Sequence, residues 1–327
     1  QISDRVSQTR VFVGTTSSIT THLSLISRYR ISLCIVDEAS QILEPHLLPL
    51  FTLCCQDGLP CISKFVMIGD HKQLPAVVQQ SARESFVDDP LLNDICLDDC
   101  RKSLFERFLS RYGVDEELCY MLSHQGRMHR DIAHFPNVAF YEGKLHEVPL
   151  EHQLSPSPEP RLRFVDIPCP EDSASDKVNL SEASFIASEL FAIWGRTRDV
   201  FNPQETVGVI VPYRSQISAI RKMLADKLRQ PDHPLLQITI DTVERFQGSQ
   251  RRYIIYGLTV QKHYQLRFLS ESAFEENGRV IDRKLNVAMT RAQEYLIIVG
   301  NALLLSRIPV YANLIHYINN RGNIAVT

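Results

Sequence analysis

Two adjacent carboxylates follow an apolar run near the start of the chain. The segment Cys34–Gln41 reads Cys-Ile-Val-Asp-Glu-Ala-Ser-Gln, so Asp37 and Glu38 come directly after the apolar residues. An Asp that holds Mg²⁺ beside a Glu that orients or deprotonates a water is the arrangement that nucleotide-driven motors need. The alternative is a helix that begins with acidic residues, which the helix dipole favours. The pair by itself leaves both interpretations open.

A second apolar run, Phe65–Ile68, ends in the polar segment Gly69-Asp70-His71-Lys72-Gln73-Leu74-Pro75. The amide of Gln73 is able to hydrogen-bond a phosphate oxygen and an attacking water together, and Asp70 is placed to couple that contact to neighbouring loops. The alternative is an ordinary turn after a strand, with a Gly and a Pro. These two runs point to the same chemistry.

Short runs that are apolar throughout predict strands buried on both faces, as in parallel sheets. These runs are Val11–Val13, Ile31–Val36, Phe65–Ile68, Val207–Val211, Ile238–Ile240, Tyr253–Leu258 and Tyr295–Val299. Helical patterns lie between them, at Lys102–Tyr112, Asp131–Tyr141, Glu182–Trp194, Ser215–Arg229 and Arg283–Gln293. The alternation predicts an α/β fold. The Pro-rich stretch Pro149–Asp176 predicts a surface connection with one short strand at Arg161–Val165.

Ligands of open α/β sheets bind beyond the carboxyl ends of the strands. Asp37 and Asp70 stand at such positions in the first part of the chain, and Tyr213, Arg214 and Thr242 do so in the second. Polar residues that recur at the same end of successive buried strands indicate a binding site. Ordinary helix capping by Asp241 or Thr242 remains the alternative for the last of these segments.

The 327 residues carry 38 acidic and 35 basic side chains, a net charge of −3. This composition excludes a disordered tail, a collagen-like rod and a coiled coil, and the length favours two domains.

No apolar run reaches the roughly 20 residues of a membrane span, so we expect no membrane partner. Eight cysteines without a C-x-x-C pair favour reduced thiols, which predicts a cytoplasmic location, or a nuclear one in a eukaryote.

The order of the motifs resembles superfamily 1 helicases, in the branch that contains the nonsense-mediated decay RNA helicase and the eukaryotic DNA replication nuclease-helicase. Six segments carry the resemblance: Val36–Gln41, Ile68–Pro75, Gln125–His129, Val211–Gln216, Asp241–Gly248 and Lys284–Ala292. The resemblance implies a P-loop NTPase fold with two RecA-like lobes and mostly parallel sheets. Residues 1–122 would be the C-terminal part of an incomplete first lobe, and residues 123–327 would form the second lobe.

The resemblance also implies a catalytic set for ATP hydrolysis with Mg²⁺. Asp37 matches the Mg²⁺ ligand, Glu38 the catalytic base, and Gln73 and Arg127 the residues that contact the γ-phosphate. Arg291 matches an arginine finger, a planar cation that stabilises charge on the transferring phosphoryl group. Because both arginines belong to the second lobe, hydrolysis would require the two lobes to close.

Further residues are assigned by the same resemblance. Asp70 and Gln250 join Asp37 among the nucleotide-binding residues. The segments around Tyr213, Arg214 and Thr242 match those that contact a single strand.

The sequence departs from the family in three respects. It contains no G-x-x-x-x-G-K-[ST] loop, Gly126 stands where the family has a Tyr that stacks on the base, and Gln250 stands where it has a Glu that holds the ribose. We therefore expect a fragment that does not hydrolyse ATP alone, completed by an N-terminal part of the same protein. The two substitutions suggest weak or base-unselective nucleotide use.

The function that the sequence predicts is an ATP-dependent helicase or translocase motor on single-stranded nucleic acid, with DNA favoured over RNA. By resemblance, movement would be 5′ to 3′. The alternatives are an RNA helicase of the same family and a non-catalytic nucleic-acid clamp derived from a motor.

Overall fold

The computed structural model describes residues 8–113, 115, 117–168, 175–228, 230–321 and 324–326. The chain divides into two units. The first unit takes in residues up to His71 and then Pro75–Met121, and the second takes in Lys72–Leu74 and Leu122–Thr327. Lys72–Leu74 therefore group with the second unit, although the sequence assigned them to residues 1–122. Among the described residues, no helix combines the length and the apolar character that a membrane span needs.

The first unit contains a parallel pair of strands, β1 (Cys34–Val36) and β2 (Phe65–Met67), with Cys34 opposite Phe65. Its helices are Thr16–Thr21, Leu23–Ile26, Glu44–Phe51, Ala82–Ser85, Pro90–Asp94 and Leu104–Tyr112, with a 3-10 helix at Ala39–Gln41. Its core consists of Val36, Ala39, Leu47, Leu50, Cys61, Ile62 and Leu104. This core positions the turns that follow β1 and β2.

The predicted strand at Val11–Val13 is wrong, because these residues lie in no helix or strand. Val11 is 74% exposed and Val13 is 91% exposed. A β-branched residue gains from a strand only when a neighbouring strand pairs with it and covers its side chain. Neither occurs here among the residues that the structure describes.

The second unit is built on a six-stranded sheet in which every pair of neighbours is parallel. The strands of this unit are β3 (His124–Gln125), β4 (His146–Glu147), β5 (Leu162–Asp166), β6 (Val207–Ile210), β7 (Thr239–Asp241), β8 (Arg251–Gly257), β9 (Phe274–Glu276), β10 (Arg279–Ile281), β11 (Ala292–Gly300) and β12 (Ile324–Val326). The order in the large sheet is β12-β5-β11-β8-β6-β7. The predicted α/β class with mostly parallel sheets is confirmed.

Helices cover both faces of the large sheet. The described helices of this unit are Arg130–Phe140, Glu151–Leu154, Leu180–Thr197, Arg214–Leu228, Val243–Phe246, Gln265–Leu269, Arg283–Met289, Ala302–Leu305 and Pro309–Asn319, with 3-10 helices at Arg198–Val200 and Pro234–Leu236. Strand β8 shows why the strands are apolar throughout: Ile254 and Tyr256 enter one core cluster, while Tyr253 and Ile255 enter the other. A strand between two layers of helices needs apolar side chains in both directions.

Two predictions about this unit need correction. The helix predicted over Arg283–Gln293 ends at Met289, because β11 begins at Ala292 and pairs with Arg251 of β8. The strand predicted near Arg161 is no surface element, since β5 lies between β11 and β12 in the sheet. Within the connection Pro149–Asp176, residues 169–174 lie outside the described residues, as does Arg229 at the end of its predicted helix.

A fully buried carboxyl group joins a long helix to the end of β8. The side chain of Glu182 accepts hydrogen bonds from the backbone amide of Thr259, at 3.1 Å for Oε1 and 2.9 Å for Oε2. Thr259 has a φ of +51°, a conformation that is rare for a β-branched residue. Burial raises the pKa of Glu182 to about 8, although the bonds from Thr259 oppose that shift.

Glu182→Gln tests this burial through the pH dependence of stability. The folded-state pKa lies above the ordinary value of 4.5, so the stabilisation from the bound proton is complete below that value and is lost as pH rises through about 8. From about pH 5 to pH 9, we expect the free energy of unfolding of the parent to fall by about 4 kcal/mol more than that of the variant.

The measurement is urea unfolding of the chain, followed in the second unit, at several pH values within this pH range. Glu151→Gln, which changes an exposed side chain of the same unit, is the matched control and should keep the slope of the parent. An unchanged slope in Glu182→Gln would contradict the assigned protonation.

Candidate functional site

In the first unit, the acidic pair lies at the carboxyl end of β1. Asp37 and Glu38 are both exposed, and Oδ1 of Asp37 accepts a hydrogen bond from the Glu38 amide at 2.9 Å. Glu38 has a φ of +51° and the side chain of Gln41 donates to its carboxylate. A non-glycine residue in this left-handed region is strained, and such strain concentrates at functional sites. The 3-10 helix that follows has three residues, too few for the acidic helix start considered above.

The turn after β2 is held against the turn after β1. The Ala39 amide donates to the Ile68 carbonyl at 2.7 Å, and the Asp70 amide donates to the Ser40 hydroxyl at 3.2 Å. A Cβ on Gly69 would lie 2.8 Å from the backbone nitrogen of Ser40, so only glycine allows this approach. Both predicted polar tips of the first unit therefore lie at one edge of its sheet.

The fit of Mg²⁺ to this edge follows from its donors. Mg²⁺ in phosphate-handling sites takes one or two carboxylates and completes its shell with water and substrate phosphates. Asp37 offers an exposed carboxylate of this kind. Within the described part of the chain, no group of three or more His, Cys, Asp and Glu residues is placed to hold a metal by itself. The residues present fit a metal that arrives with a nucleotide.

In the second unit, the guanidinium of Arg291 is buried and aligned by hydrogen bonds. Arg291 is 2% exposed. Its Nε donates to the Val287 carbonyl at 3.1 Å, its Nη1 to the Ser249 carbonyl at 3.4 Å, and its Nη2 to Oε1 of Gln73 at 3.2 Å. A guanidinium presents its N–H groups in a fixed plane, so these acceptors set its orientation.

Arg127 belongs to the same network. Its Nε donates to Oε1 of Gln250 at 2.9 Å, and its Nη1 donates to the Thr290 carbonyl at 3.1 Å. The hydroxyl of Thr290 accepts from Arg291 Nη2 at 3.0 Å. The structure thus brings together four residues that the sequence singled out separately. We call Gln73, Arg127, Gln250 and Arg291 the arginine network.

The arginine network lies at the amino edge of the large sheet. Gln250 directly precedes β8 and Arg291 directly precedes β11, and these strands are parallel neighbours. The general rule that ligands bind beyond the carboxyl ends of strands therefore does not locate these residues. Only the motif resemblance pointed to Arg127, Gln250 and Arg291, whereas Gln73 was also singled out by its place after the apolar run Phe65–Ile68.

The predicted nucleic-acid residues lie at the opposite edge of this sheet. Tyr213 and Arg214 follow β6, Thr242 follows β7, and the Val211 amide bonds to the Asp241 carbonyl at 3.1 Å. Arg214 is exposed, and the ring of Tyr213 stacks on Phe268 with centroids 5.4 Å apart. Burial raises the pKa of the Tyr213 hydroxyl above its ordinary value.

The capping alternative for this segment is not supported. Thr242 is the N-cap of the helix Val243–Phe246, but no side-chain cap hydrogen bond is made there. The carboxylate of Asp241 accepts from the Thr242 amide at 2.8 Å, which shapes the turn ahead of the helix. The Thr242 side chain is partly exposed.

Sequence reasoning missed the residues that hold Gln73 in position. Lys72 Nζ lies 2.6 Å from a carboxylate oxygen of Glu276 and donates to the Phe140 carbonyl at 2.9 Å. Asn286 donates to the Lys72 carbonyl at 2.8 Å. Asn286 falls within a motif segment, whereas nothing in the sequence marks Glu276. These contacts hold the residue that directly precedes Gln73.

Comparison with known proteins identifies two stretches. The AAA-domain family matches residues 100–303, and a second AAA-domain family matches residues 2–81. The chain is 28% identical to the DNA polymerase alpha-associated DNA helicase A of Saccharomyces cerevisiae, over 94% of this chain and 44% of that protein. It is 29% identical to Regulator of nonsense transcripts 1 of Dictyostelium discoideum, over 91% of this chain and 20% of that protein.

A third relative is the DNA replication ATP-dependent helicase/nuclease DNA2 of Gallus gallus, 28% identical over 89% of this chain and 25% of that protein. The chain thus spans less than half the length of each of these relatives. Among solved structures, an arterivirus nonstructural protein 10 helicase covers 81% of this chain and 38% of its own, at 14% identity and a TM-score of 0.32.

Proposed function

Because the chain belongs to the AAA-domain family, and within it to the superfamily 1 helicases of the branch that includes the regulators of nonsense transcripts, we propose that it is the motor part of an ATP-dependent helicase or translocase. The observation that carries the proposal is the arginine network. Two guanidinium groups and two amide side chains converge there from positions far apart in the sequence. Such a cluster suits the charge on a phosphoryl group in transfer.

Arg291 has the properties of a group that stabilises a transition state. Its burial strengthens its electrostatic interactions, and its orientation is set by main-chain and amide oxygens before any ligand arrives. A preorganised cation costs no rearrangement at the moment of reaction. Arg127, which is partly exposed, is the second cation that would act on the γ-phosphate.

The acidic pair would supply a metal ligand and a catalytic base. ATP with Mg²⁺ supplies the phosphoryl group, Asp37 would bind the metal, and Glu38 would orient and deprotonate the attacking water. Asp70 would couple the reaction to the neighbouring loops, and Gln73 would contact the γ-phosphate.

Single-stranded nucleic acid is the proposed track, with DNA favoured. Tyr213, Arg214 and Thr242 at the carboxyl edge of β6 and β7 offer an aromatic ring, a cation and a hydroxyl, which are the groups that contact phosphates and bases of single strands. Two of the relatives named above are called DNA helicase or DNA replication helicase. An RNA track remains the second choice, because the other relative is named for transcripts.

A non-catalytic clamp derived from a motor is the second candidate. It is favoured by Gly126, which leaves an exposed position without the ring that the family uses for base stacking. The clamp predicts binding of single strands without hydrolysis. The motor predicts hydrolysis that depends on Glu38, so one variant separates the two.

In the complete polypeptide that contains this chain, we expect Glu38→Gln to lower ATP hydrolysis stimulated by single-stranded DNA by at least ~100-fold, because a general base contributes about that factor or more. Binding of a fluorescent single-stranded DNA should remain within about twofold of the parent, since the isosteric amide keeps the fold. Phosphate release and fluorescence anisotropy make the two measurements.

Asp94→Asn, which removes an exposed carboxylate elsewhere in the first unit, is the control and should keep full activity. A parent that binds DNA and hydrolyses no ATP would establish the clamp. A Glu38→Gln variant as active as the parent would remove Glu38 from the mechanism.

Nucleotide binding can be tested by adding an aromatic ring at Gly126. A Cβ at this position would meet only Leu150 Cδ1, at 3.6 Å, so a larger side chain has room. We expect Gly126→Tyr to tighten ATP binding about tenfold, because one base–aromatic stack is worth about 1–3 kcal/mol. Gly126→Ala is the control, since it adds the Cβ without a ring.

Titration of a fluorescent ATP analogue against the complete polypeptide gives the two dissociation constants. Equal affinities for the Tyr and Ala variants would show that the base does not lie near Gly126.

A further inference from the structure

A short hairpin in the first unit carries three of the cysteines. It runs from Leu53 to Cys61, between the helix Glu44–Phe51 and β2, and is closed by hydrogen bonds from the Cys55 amide to the Leu59 carbonyl and from the Cys61 amide to the Leu53 carbonyl, each 2.9 Å. Cys54 forms a bridge with Pro60 across the hairpin. Because side chains alternate along a strand, Cys55 and Cys61 point to one face and Cys54 to the other.

The two cysteines on the shared face are in contact. Their Sγ atoms lie 2.7 Å apart, and both residues are free thiols in the structure. A disulfide has an S–S distance of about 2.05 Å, so a small movement of the hairpin would allow the bond. The hairpin ladder already holds the two backbones in place for it.

The two thiols differ in their access to solvent. Cys61 is fully buried in the core of the first unit, with its Sγ 3.7 Å from the Ser27 carbonyl. Cys55 is partly exposed, with its Sγ 3.5 Å from the Tyr29 carbonyl. Burial, together with the neighbouring Cys55 thiol, raises the pKa of Cys61 above its ordinary value. Of these two thiols, Cys55 is therefore the one that an oxidant reaches first.

We propose that Cys55 and Cys61 form a redox-active dithiol, which a peroxide converts into an intramolecular disulfide. The inference rests on the contact of the two sulfurs and on their unequal exposure, and it does not depend on the proposed motor function. In sequence, the pair lies between the acidic pair at Asp37 and the Gly69-Asp70 turn. The disulfide would fasten the segment that connects the helix Glu44–Phe51 to β2.

The reaction balances with hydrogen peroxide as the oxidant. The Cys55 thiolate attacks one peroxide oxygen, so that an S–O bond forms, the O–O bond breaks, and the leaving hydroxide takes up the proton that Cys55 released. The Cys61 sulfur then attacks Cys55 Sγ: the S–S bond forms, the S–O bond breaks, and the hydroxyl leaves as water with the Cys61 proton. The two thiols together lose two electrons, and the peroxide becomes two waters.

The test is peptide mapping of the full chain after oxidation. The protein is treated with one equivalent of hydrogen peroxide, its remaining thiols are blocked with N-ethylmaleimide, and it is digested without reductant for mass spectrometry. With a protease that cleaves before Asp57, we expect a peptide pair joined through Cys55 and Cys61, which a reductant separates. Cys55→Ser should abolish it, and Cys54→Ser should leave it unchanged, because Cys54 points away from the pair.

Cys61→Ala should also abolish the cross-link, but this buried substitution risks unfolding. Phenylarsine oxide, which bridges two neighbouring thiols, provides a second measurement on folded protein. It should protect Cys55 and Cys61 from alkylation in the parent and in Cys54→Ser, and it should give Cys61 no added protection in Cys55→Ser. Irreversible oxidation of Cys55 without a cross-link, or a cross-link through Cys54, would overturn the proposal.

Discussion

The buried guanidinium of Arg291 is the constraint on which the arrangement of the second unit's candidate site depends. A charge that leaves water needs an acceptor for its N–H groups, because an unsatisfied one costs several kcal/mol. The acceptors come from Val287 in the preceding helix, from Ser249 ahead of β8, and from Gln73 in the segment Lys72–Leu74. Three segments are thereby ordered around one side chain. Arg127 reaches the same place through Gln250 and Thr290.

Much of the second unit's sheet could be predicted from the sequence. Strands β6 and β8 lie within two residues of their predicted bounds, because a strand covered on both faces must be apolar throughout. Where the prediction failed, the presence or absence of a neighbouring strand explains the difference. Residues Ala292 and Gln293 suit a helix, but the contact of Ala292 with Arg251 makes them the start of β11. Val11–Val13 suits a strand and has no described strand beside it.

The types of the candidate site residues could be predicted from motifs, whereas their geometry could not. The bond between Arg291 and Gln73 joins residues 218 positions apart, and no local pattern encodes such a contact. The burial of Glu182 could not be predicted either. An acidic residue near the start of a helix is expected at the surface, and its burial follows only from the turn at Thr259. The contact of Cys55 with Cys61 likewise depends on the register of a hairpin.

The most direct test of the account is a double-mutant cycle on Gln73→Ala and Arg291→Lys, read out as the rate of ATP hydrolysis of the complete polypeptide with single-stranded DNA. If the two side chains act as a unit, the double variant should be no worse than the poorer single variant. This corresponds to a coupling energy of about 1–3 kcal/mol. Strictly additive losses would show that Gln73 and Arg291 act independently, and would contradict the account.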